Sequence, residues 1–261
     1  MTDHKNLERA LERAARDPAS RPEFYRALME SDVFVIGHSD AITGQRTLIP
    51  AGAKVEIVHW EKQDGTPVVP FFTSLDALRC SLKEETNFMD LSARGFFEMV
   101  KGKTLMLNPA SPYGKEFFPN EVESLLSTGV NHAPVPRTVE TATQVLLGQA
   151  SAYPTQMVSS LKALLAKHAN VRAAHLCLMQ EPGSESPSLV VGFEGDGDIS
   201  RAMADAGAVA ADTAPRGTPV DFIQVARGEP GLSEYFSSTG TPFYRRTVGT
   251  SLKGLFGGRK A

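Results

Sequence analysis

The chain has 261 residues and a formal net charge of −3, with acidic and basic residues interspersed along its length. A hydrophobic fraction of 41% and a charged fraction of 22% are typical of a soluble globular protein with one large domain or two ordinary ones. With this charge distribution, no large basic surface is expected that could bind nucleic-acid phosphates. No apolar run is long enough to cross a bilayer. The N-terminus is polar and lacks the hydrophobic segment of a secretory signal peptide. The only two cysteines, Cys80 and Cys177, lie far apart, which favours a reducing cytoplasm.

The chain is predicted to start with two amphipathic helices. Apolar residues recur at helical spacing over residues 7–15 with charged residues opposite, and this first helix should end near Pro18. A second helix is predicted over residues 21–29, because Pro22 suits the first turn of a helix. The apolar run at 33–36 then predicts a short strand.

The stretch that follows is predicted to organise the N-terminal part of the chain. Apolar and polar residues alternate over most of 54–60, as they do in a half-buried strand. This stretch leads into Asp64-Gly65, a dipeptide that strongly favours a hairpin turn. The apolar run at 68–72 is the expected partner strand. Ser74 is expected to cap the helix that comes next.

Three further elements complete the predicted first domain. Residues 90–100 predict a short capped helix, 104–108 a buried strand, and 119–122 the start of another helix. Between the last two, the prolines and glycine of 109–117 predict a stiff loop. The block up to residue 131 is therefore predicted to be an α+β unit that buries its own core.

Residues 132–141 contain two prolines and little apolar periodicity, and they are predicted to form a linker. Strands and helices are then predicted at 144–148, 158–165, 171–179, 189–193, 199–209, 219–225 and 232–236. The order β-α-β-β-α-β is that of the ferredoxin-like, split βαβ fold. We therefore predict an α+β protein of two mixed α/β domains, 1–131 and 142–246, the second ferredoxin-like, with a flexible tail at 247–261.

Four motifs occur in order along the chain: Arg21-Pro22-x-Phe24-Tyr25-x-x-Leu28, Asp64-Gly65-x-Pro67-Val68-x-Pro70-x-Phe72-Thr73-Ser74, Leu107-Asn108-Pro109-x-Ser111-Pro112-x-Gly114 and Pro242-Phe243-Tyr244. Together they resemble the SseB family, named for enhanced serine sensitivity, over nearly the whole chain apart from the tail. The resemblance implies an SseB N-terminal-like domain followed by a C-terminal-like one. It implies no catalytic residue, and it suggests a role that bears on serine or amino-acid tolerance.

The loop after the strand at 104–108 is the best candidate for a binding surface, because loops on a rigid strand tend to carry binding residues. Asn108 and Ser111 offer hydrogen bonds to a small polar ligand, and Tyr113 offers a ring to stack on it. Lys115 completes the candidate set. The alternative, which such sequences adopt more often, is a proline-fixed turn that ends a strand and starts a helix.

No cofactor, metal or catalytic residue is predicted. His175, Cys177 and Met179 share one face of a strand, as soft-metal ligands would. A strand buried on both faces is the favoured reading, because Leu176 and Leu178 make the other face apolar as well. The sequence contains no Gly-x-Ser-x-Gly nucleophile elbow, His-Glu-x-x-His motif or phosphate-binding glycine loop. No lysine lies in a recognisable motif for a Schiff base with pyridoxal phosphate.

The favoured function is that of a non-enzymatic binding or regulatory protein. The alternatives are a small-molecule metabolic enzyme with a site between the two domains and a secretion-associated protein. A split βαβ domain leaves one sheet face bare, and here that face would be apolar. A protein partner, a second copy of the chain or the first domain is therefore expected to cover it, whereas neither nucleic acid nor a membrane is an expected partner.

Overall fold

The computed structural model describes residues 2–39, 54–132, 145–148, 152–226, 228–238 and 240–247. Apart from His132 and Thr247, the predicted linker and the predicted tail lie outside the described residues. The described chain forms two mixed sheets with their helices, which confirms the predicted α+β class with two domains. The exact domain boundaries stay a prediction. Within these ranges, no helix combines the length and the apolar character that a membrane span requires.

The N-terminal half, residues 2–132, contains five helices and seven strands among its described residues. The helices are α1 (Thr2–Arg16), α2 (Arg21–Glu30), α3 (Leu75–Ser81), α4 (Ala93–Met99) and α5 (Pro119–Thr128). The strands are β1 (Asp32–Ser39), β2 (Val55–Ile57), β3 (Trp60–Glu61), β4 (Pro67–Phe72), β5 (Phe88–Ser92), β6 (Leu105–Leu107) and β7 (Lys115–Phe117). A single turn of 3-10 helix, Pro18–Ser20, joins the first two helices.

The first sheet runs in the order β2-β1-β4-β6-β7, with β5 also paired to β1 and β3 also paired to β4. β4 and β6 are parallel, and the other pairs are antiparallel. Because β4 and β6 run in the same direction, Thr73 and Asn108, which directly follow them, come out at the same edge of the sheet. This edge carries the candidate site described below.

The predicted hairpin, buried strand and helix cap are present, but the strand predicted over residues 54–60 is broken in two. Its first part, β2, pairs with β1, and only Trp60 and Glu61 of β3 pair with β4. Gly65 has a φ of +80°, and β3 and β4 pair antiparallel across the turn. β4 lies between β1 and β6, and its Phe71 and Phe72 are fully buried. Ser74 Oγ accepts a hydrogen bond from the backbone N–H of Ala77 at 3.2 Å, which satisfies one of the free donors at the start of α3.

The prediction of a helix over residues 90–100 is wrong for its first turn. The chain remains in strand β5 as far as Ser92, with Met89 and Leu91 buried, and only then enters α4. β5 pairs with β1 along its whole length, and this long-range pairing outweighs the local preference for helix. Ser92 Oγ caps the helix by accepting from the N–H of Gly95 at 3.2 Å.

The C-terminal half, residues 145–247, shows the predicted β-α-β-β-α-β order followed by one more helix and one more strand. In chain order the elements are β8 (Leu146–Gly148), α6 (Thr155–Leu165), β9 (Val171–Gln180), β10 (Ser188–Gly195), α7 (Ser200–Thr213), β11 (Val220–Gln224), α8 (Leu232–Ser238) and β12 (Tyr244–Arg245).

The strand pairing in this second sheet departs from the split βαβ arrangement. The order is β11-β10-β9-β12, with β8 also paired to β9. β10 and β11 are adjacent and parallel, whereas a split unit would hold another strand between them. β8 has only three residues and β11 has five, so pairing β10 with β11 forms the longer ladder. β8 pairs instead with the end of β9, through Leu146, Leu147 and Gly148.

The sheet face that we expected to be bare is covered from within the chain by α8. The ring of Phe236 is buried against Gly192, where a Cβ atom would lie 2.7 Å from the ring carbons. Cys177 and Val190 belong to the same apolar cluster. The opposite face packs in another cluster, with Phe193, against α6 and α7. The prediction that both faces of this sheet are covered is therefore confirmed, and α8 supplies the cover that was assigned to another domain or subunit.

The two halves contact one another through α2 and α7 and through the turn before α2. Ala19 is fully buried in the apolar cluster of the C-terminal half, and its carbonyl accepts from Lys167 Nζ at 3.0 Å. Asp205 of α7 is also buried. Its carboxylate accepts from both terminal nitrogens of Arg26, at 2.7 and 3.0 Å, and lies 3.1 Å from His168 Nε2. The contact therefore has both an apolar part and a charged part.

Candidate functional site

Two buried polar residues meet at the sheet edge where the parallel strands β4 and β6 end. Thr73 follows β4, Asn108 follows β6, and both have almost no exposed surface. In open α/β sheets, ligand sites form outside the carboxyl ends of parallel strands, and β4 and β6 are the one parallel pair among the described strands of this mixed sheet. This edge, which includes the predicted binding loop, is therefore the candidate functional site of the N-terminal half.

Four side chains form one hydrogen-bonded network at this edge. The N–H of Thr73 donates to Asn108 Oδ1 at 3.1 Å, and Asn108 Nδ2 donates back to Thr73 Oγ1 at 2.7 Å. Thr73 Oγ1 in turn donates to Glu8 Oε1 of α1. His4 Nδ1, also in α1, donates to the carbonyl of Thr73 at 3.2 Å. The network therefore ties α1 to the ends of two strands.

The backbone of Asn108 is unusual as well. Its φ is +44°, the one positive φ found at a residue other than glycine in the described chain. Asparagine tolerates this left-handed region better than most residues do. The loop then folds back tightly, because the N–H of Ser111 donates to the Asn108 carbonyl at 2.8 Å and Gly114 donates to the Ser111 carbonyl at 3.1 Å. A Cβ at Gly114 would lie 2.9 Å from the Asn108 carbonyl oxygen, so this close return requires glycine.

The other predicted site residues lie in the same loop but have different neighbours. Ser111 Oγ accepts from the N–H of Tyr113 at 3.2 Å, and the Tyr113 hydroxyl accepts from Arg16 at 3.4 Å. Lys115 Nζ forms an ion pair with Glu121 at 3.0 Å. All four side chains are therefore engaged by protein groups. Asn108 is buried, whereas Ser111, Tyr113 and Lys115 are partly exposed. Ligand binding by this loop stays a prediction.

Sequence reasoning missed Glu8 and Thr73. Glu8 lies among the charged residues of α1 that were expected to face solvent, and Thr73 was singled out only as part of the family motif at 64–74. Their sequence separation of 65 residues leaves no local signal that would join them. The parallel pairing of β4 with β6, which was not predicted, is what places Thr73 beside Asn108.

Replacing Asn108 by alanine is expected to lower the free energy of unfolding by about 2–4 kcal/mol, because the buried N–H of Thr73 loses its acceptor and alanine is strained at positive φ. Asn108→Gly loses the same hydrogen bonds without that strain, so it should be about 1 kcal/mol less destabilising than alanine. Urea unfolding of both variants checks this. Stabilities within about 0.5 kcal/mol of the parent would show that the network contributes little.

A groove of about 750 Å³ opens beside α3, away from the polar network. Its apolar lining comes from Leu75 and Leu78 of α3, from Leu82 just after that helix, and from Phe88 at the start of β5. The surface of Phe88 is 46% exposed. Charged and polar side chains of the connecting segment complete the lining: Arg79, Lys83, Glu84, Glu85, Thr86 and Asn87. The groove thus combines an apolar floor with a rim that carries both signs of charge.

The strand residues considered for a metal site have other roles. His175 Nε2 donates to Glu194 Oε1 at 2.7 Å. Cys177 is buried among apolar side chains, and this burial raises the pKa of its thiol to about 11. Met179 belongs to the same apolar cluster. No group of three or more His, Cys, Asp or Glu side chains suited to a metal ion occurs in the part of the chain that the structure describes.

Comparison with known proteins agrees with this two-part architecture. The family model of the SseB protein N-terminal domain matches residues 7–124, and that of the SseB protein C-terminal domain matches residues 139–246. Protein SseB of Escherichia coli (strain K12) and Protein SseB of Shigella flexneri are each 39% identical to the chain over 254 residues, which is 97% of this chain and 97% of each relative. No solved structure matches the chain. The chain therefore belongs to the SseB family.

Proposed function

We propose that this protein is a non-enzymatic binding or regulatory protein that acts through a protein partner. The observation that carries the proposal is the groove beside α3. Phe88 exposes nearly half of its surface there, next to Leu75, Leu78 and Leu82. An apolar centre with a polar rim is the usual composition of a protein–protein interface.

The groove has a rigid base, which favours binding without a large rearrangement. Phe88 packs edge-on against Phe34 with ring centroids 5.9 Å apart, and Leu78 is buried beneath the groove in the cluster that contains Phe72. The lining includes Lys83 as well as acidic side chains. We therefore expect the partner to insert one or two apolar side chains and to place charged groups of its own at the rim.

Two observations favour binding over a metabolic enzyme. The polar groups at the carboxyl edge of the sheet bind one another, so Thr73 and Asn108 are engaged in holding the fold. The contact between the halves, where an enzyme site was considered, is occupied by the ion pair between Arg26 and Asp205. No comparable observation favours a secretion-associated role.

The family resemblance suggests where such a binding protein acts. The name of the family refers to serine sensitivity, so the proposed partner belongs to a process that affects serine or amino-acid tolerance. A cytoplasmic location suits the two cysteines, since exposed Cys80 and buried Cys177 are both free thiols. The surface of the predicted loop at Ser111 and Tyr113 remains a proposed second contact, for a small polar ligand.

Photo-crosslinking from position 79 on the groove rim tests the proposal. The full chain, with a photoreactive amino acid in place of Arg79, is expected to form one reproducible adduct with a protein in cells of the native organism. The partner identified in this way is then purified. Phe88→Ser should weaken its binding at least tenfold in calorimetry, because the exposed apolar anchor is lost.

Met99→Ser is the matched control, since Met99 is also large, apolar and about half exposed but lies on α4 outside the groove. The control variant should bind as tightly as the parent chain. The proposal fails if no adduct forms from position 79, or if the purified partner binds the Phe88 and Met99 variants with equal affinity.

A further inference from the structure

Arg245 and Glu194 lie in one row across the second sheet. β12 pairs Arg245 with Ala173 of β9, and β9 pairs Ala173 with Glu194 of β10. Directly paired residues project their side chains to the same face of a sheet. Their backbones are two strand spacings apart, about 10 Å, and between them Ala173 contributes only a methyl group. The row therefore forms a trough with a guanidinium on one wall and a carboxylate on the other.

The trough is a cavity of about 650 Å³ whose lining combines charged and polar side chains with apolar ones. Arg172 lines it beside the point where the β9–β10 register shifts, next to Gly195. The remaining wall comes from the end of β11, the residues after it and the last turn of α8. Its members are Gln224, Val225, Ala226, Gly228 and Ser237. A volume of this size falls within the range of small-molecule sites.

Glu194 is held in place by a buried histidine. His175 Nε2 donates to Glu194 Oε1 at 2.7 Å, and the imidazole has almost no exposed surface. The other carboxylate oxygen, Oε2, has no hydrogen-bond partner among the described residues. Glu194 is therefore an oriented acceptor with one oxygen available at the wall of the trough.

The two arginines have charge available for a ligand. Arg245 forms no ion pair with any residue that the structure describes. Arg172 pairs with Asp196 at 2.6 Å, but both side chains are at least half exposed. Exposed pairs of this kind contribute little free energy, so a ligand anion can take the place of Asp196 at small cost. Guanidinium groups bind carboxylates and phosphates through two parallel hydrogen bonds.

We propose that this trough binds a small organic anion that also carries a hydrogen-bond donor. Arg245 and Arg172 hold the carboxylate or phosphate, and Glu194 Oε2 accepts from a hydroxyl or ammonium group at the other end. Ser237 and Gln224 supply further polar contacts. The site lies in the other half of the chain from the α3 groove, and its existence does not depend on the partner proposed for that groove.

Matched probes test the proposal on the purified full chain by calorimetry and by amide chemical shifts. Glycolate differs from acetate by one hydroxyl group, and glycerol 3-phosphate carries two hydroxyls that methyl phosphate lacks. In at least one pair, the hydroxylated member is expected to bind at least tenfold more tightly and to shift the Ala173 amide signal. The pair that shows the difference tells whether the anion is a carboxylate or a phosphate. The proposal is wrong if no probe binds, or if hydroxyl groups make no difference in either pair.

Two variants and a control locate the site. Arg245→Gln should weaken the preferred probe at least tenfold. Glu194→Gln should abolish the difference between the hydroxylated and plain members of the pair, while its amide oxygen still accepts from His175 and preserves the fold. Arg201→Gln, an exposed arginine on α7, should bind like the parent chain. Thermal unfolding confirms that each variant is folded, and equal affinities in the Arg245 and Arg201 variants would overturn the assignment.

Discussion

Replacing Phe71 by alanine is expected to lower the free energy of unfolding by about 3–5 kcal/mol. Phe71 lies in β4, inside the first sheet, and has no exposed surface. Its ring centroid lies 5.6, 5.4 and 6.0 Å from those of Phe96, Phe97 and Phe117. Truncation leaves a cavity between α4 and the sheet that these rings cannot fill without disturbing one another. Denaturant unfolding with an unchanged m-value measures the loss.

Phe118 provides the control for this experiment, because it is the same residue type but 52% exposed. Phe118→Ala should change the free energy of unfolding by less than about 1 kcal/mol. Phe72→Ala should resemble Phe71→Ala, since Phe72 is equally buried on the other face of β4. A loss below about 1.5 kcal/mol for Phe71→Ala would mean that the aromatic cluster repacks around the cavity.

The elements predicted correctly are those whose signals are local. Gly65 has the positive φ that its hairpin turn needs, and Ser74 forms the expected cap within three residues of its own position. Pro22 lies in the first turn of α2 as expected. Each of these features depends on residues only a few positions apart, so the local sequence is enough to predict it.

The features that were not predicted depend on pairing between distant segments. Strand β5 exists because β1, more than fifty residues earlier, pairs along all of it, from Asp32 opposite Ser92 to Ile36 opposite Phe88. In the second sheet, β10 pairs with β11 and β8 pairs with β9, and the order of elements does not reveal this. Hydrophobic periodicity identifies a strand but leaves its partner undetermined.

One residue did carry a signal for the cover of the second sheet. Gly192 interrupts an otherwise apolar strand, and a glycine inside a strand often marks a close approach by another group. In the structure that group is the ring of Phe236. Gly192 therefore signals that some group approaches this face closely, but the identity of that group comes only from the structure.

The candidate sites were predictable to different degrees. Turn chemistry drew attention to the loop that begins at Asn108, but it gave no sign that Asn108 is buried and bonded to Thr73. His175 was noticed as a possible soft-metal ligand. Its actual partner, Glu194, is 19 residues away on the next strand, and only the β9–β10 register brings the two together.

Breaking the ion pair between the halves is the second change with a large expected effect. Arg26→Ala should lower the free energy of unfolding by about 3–5 kcal/mol, because it leaves a buried carboxylate with a single remaining partner. Asp205 is 1% exposed and Arg26 26% exposed, so solvent screens the pair little. After the substitution, His168 Nε2 at 3.1 Å is the remaining partner of Asp205 among the described residues.

The same pair is expected to make stability depend on acid pH. Burial raises the pKa of Asp205, but hydrogen bonds from His168 and Arg26 outweigh that effect and hold the pKa below its ordinary value of 3.8. A lowered pKa in the folded state means that the carboxylate stabilises the fold fully above its unfolded-state pKa. This contribution is lost as the pH falls through the lower, folded-state value.

A double-mutant cycle of Arg26→Ala and Asp205→Ala measures the pair itself, with unfolding followed at pH 7 and at acid pH. The coupling free energy should exceed about 1 kcal/mol at pH 7 and shrink as Asp205 becomes protonated. Arg16→Ala is the control, because Arg16 pairs with Glu12 on an exposed face of α1 and should cost less than about 0.5 kcal/mol. Equal losses for Arg26→Ala and Arg16→Ala would show that the charged part of the contact does not hold the halves together, which would leave that role to apolar packing around Ala19.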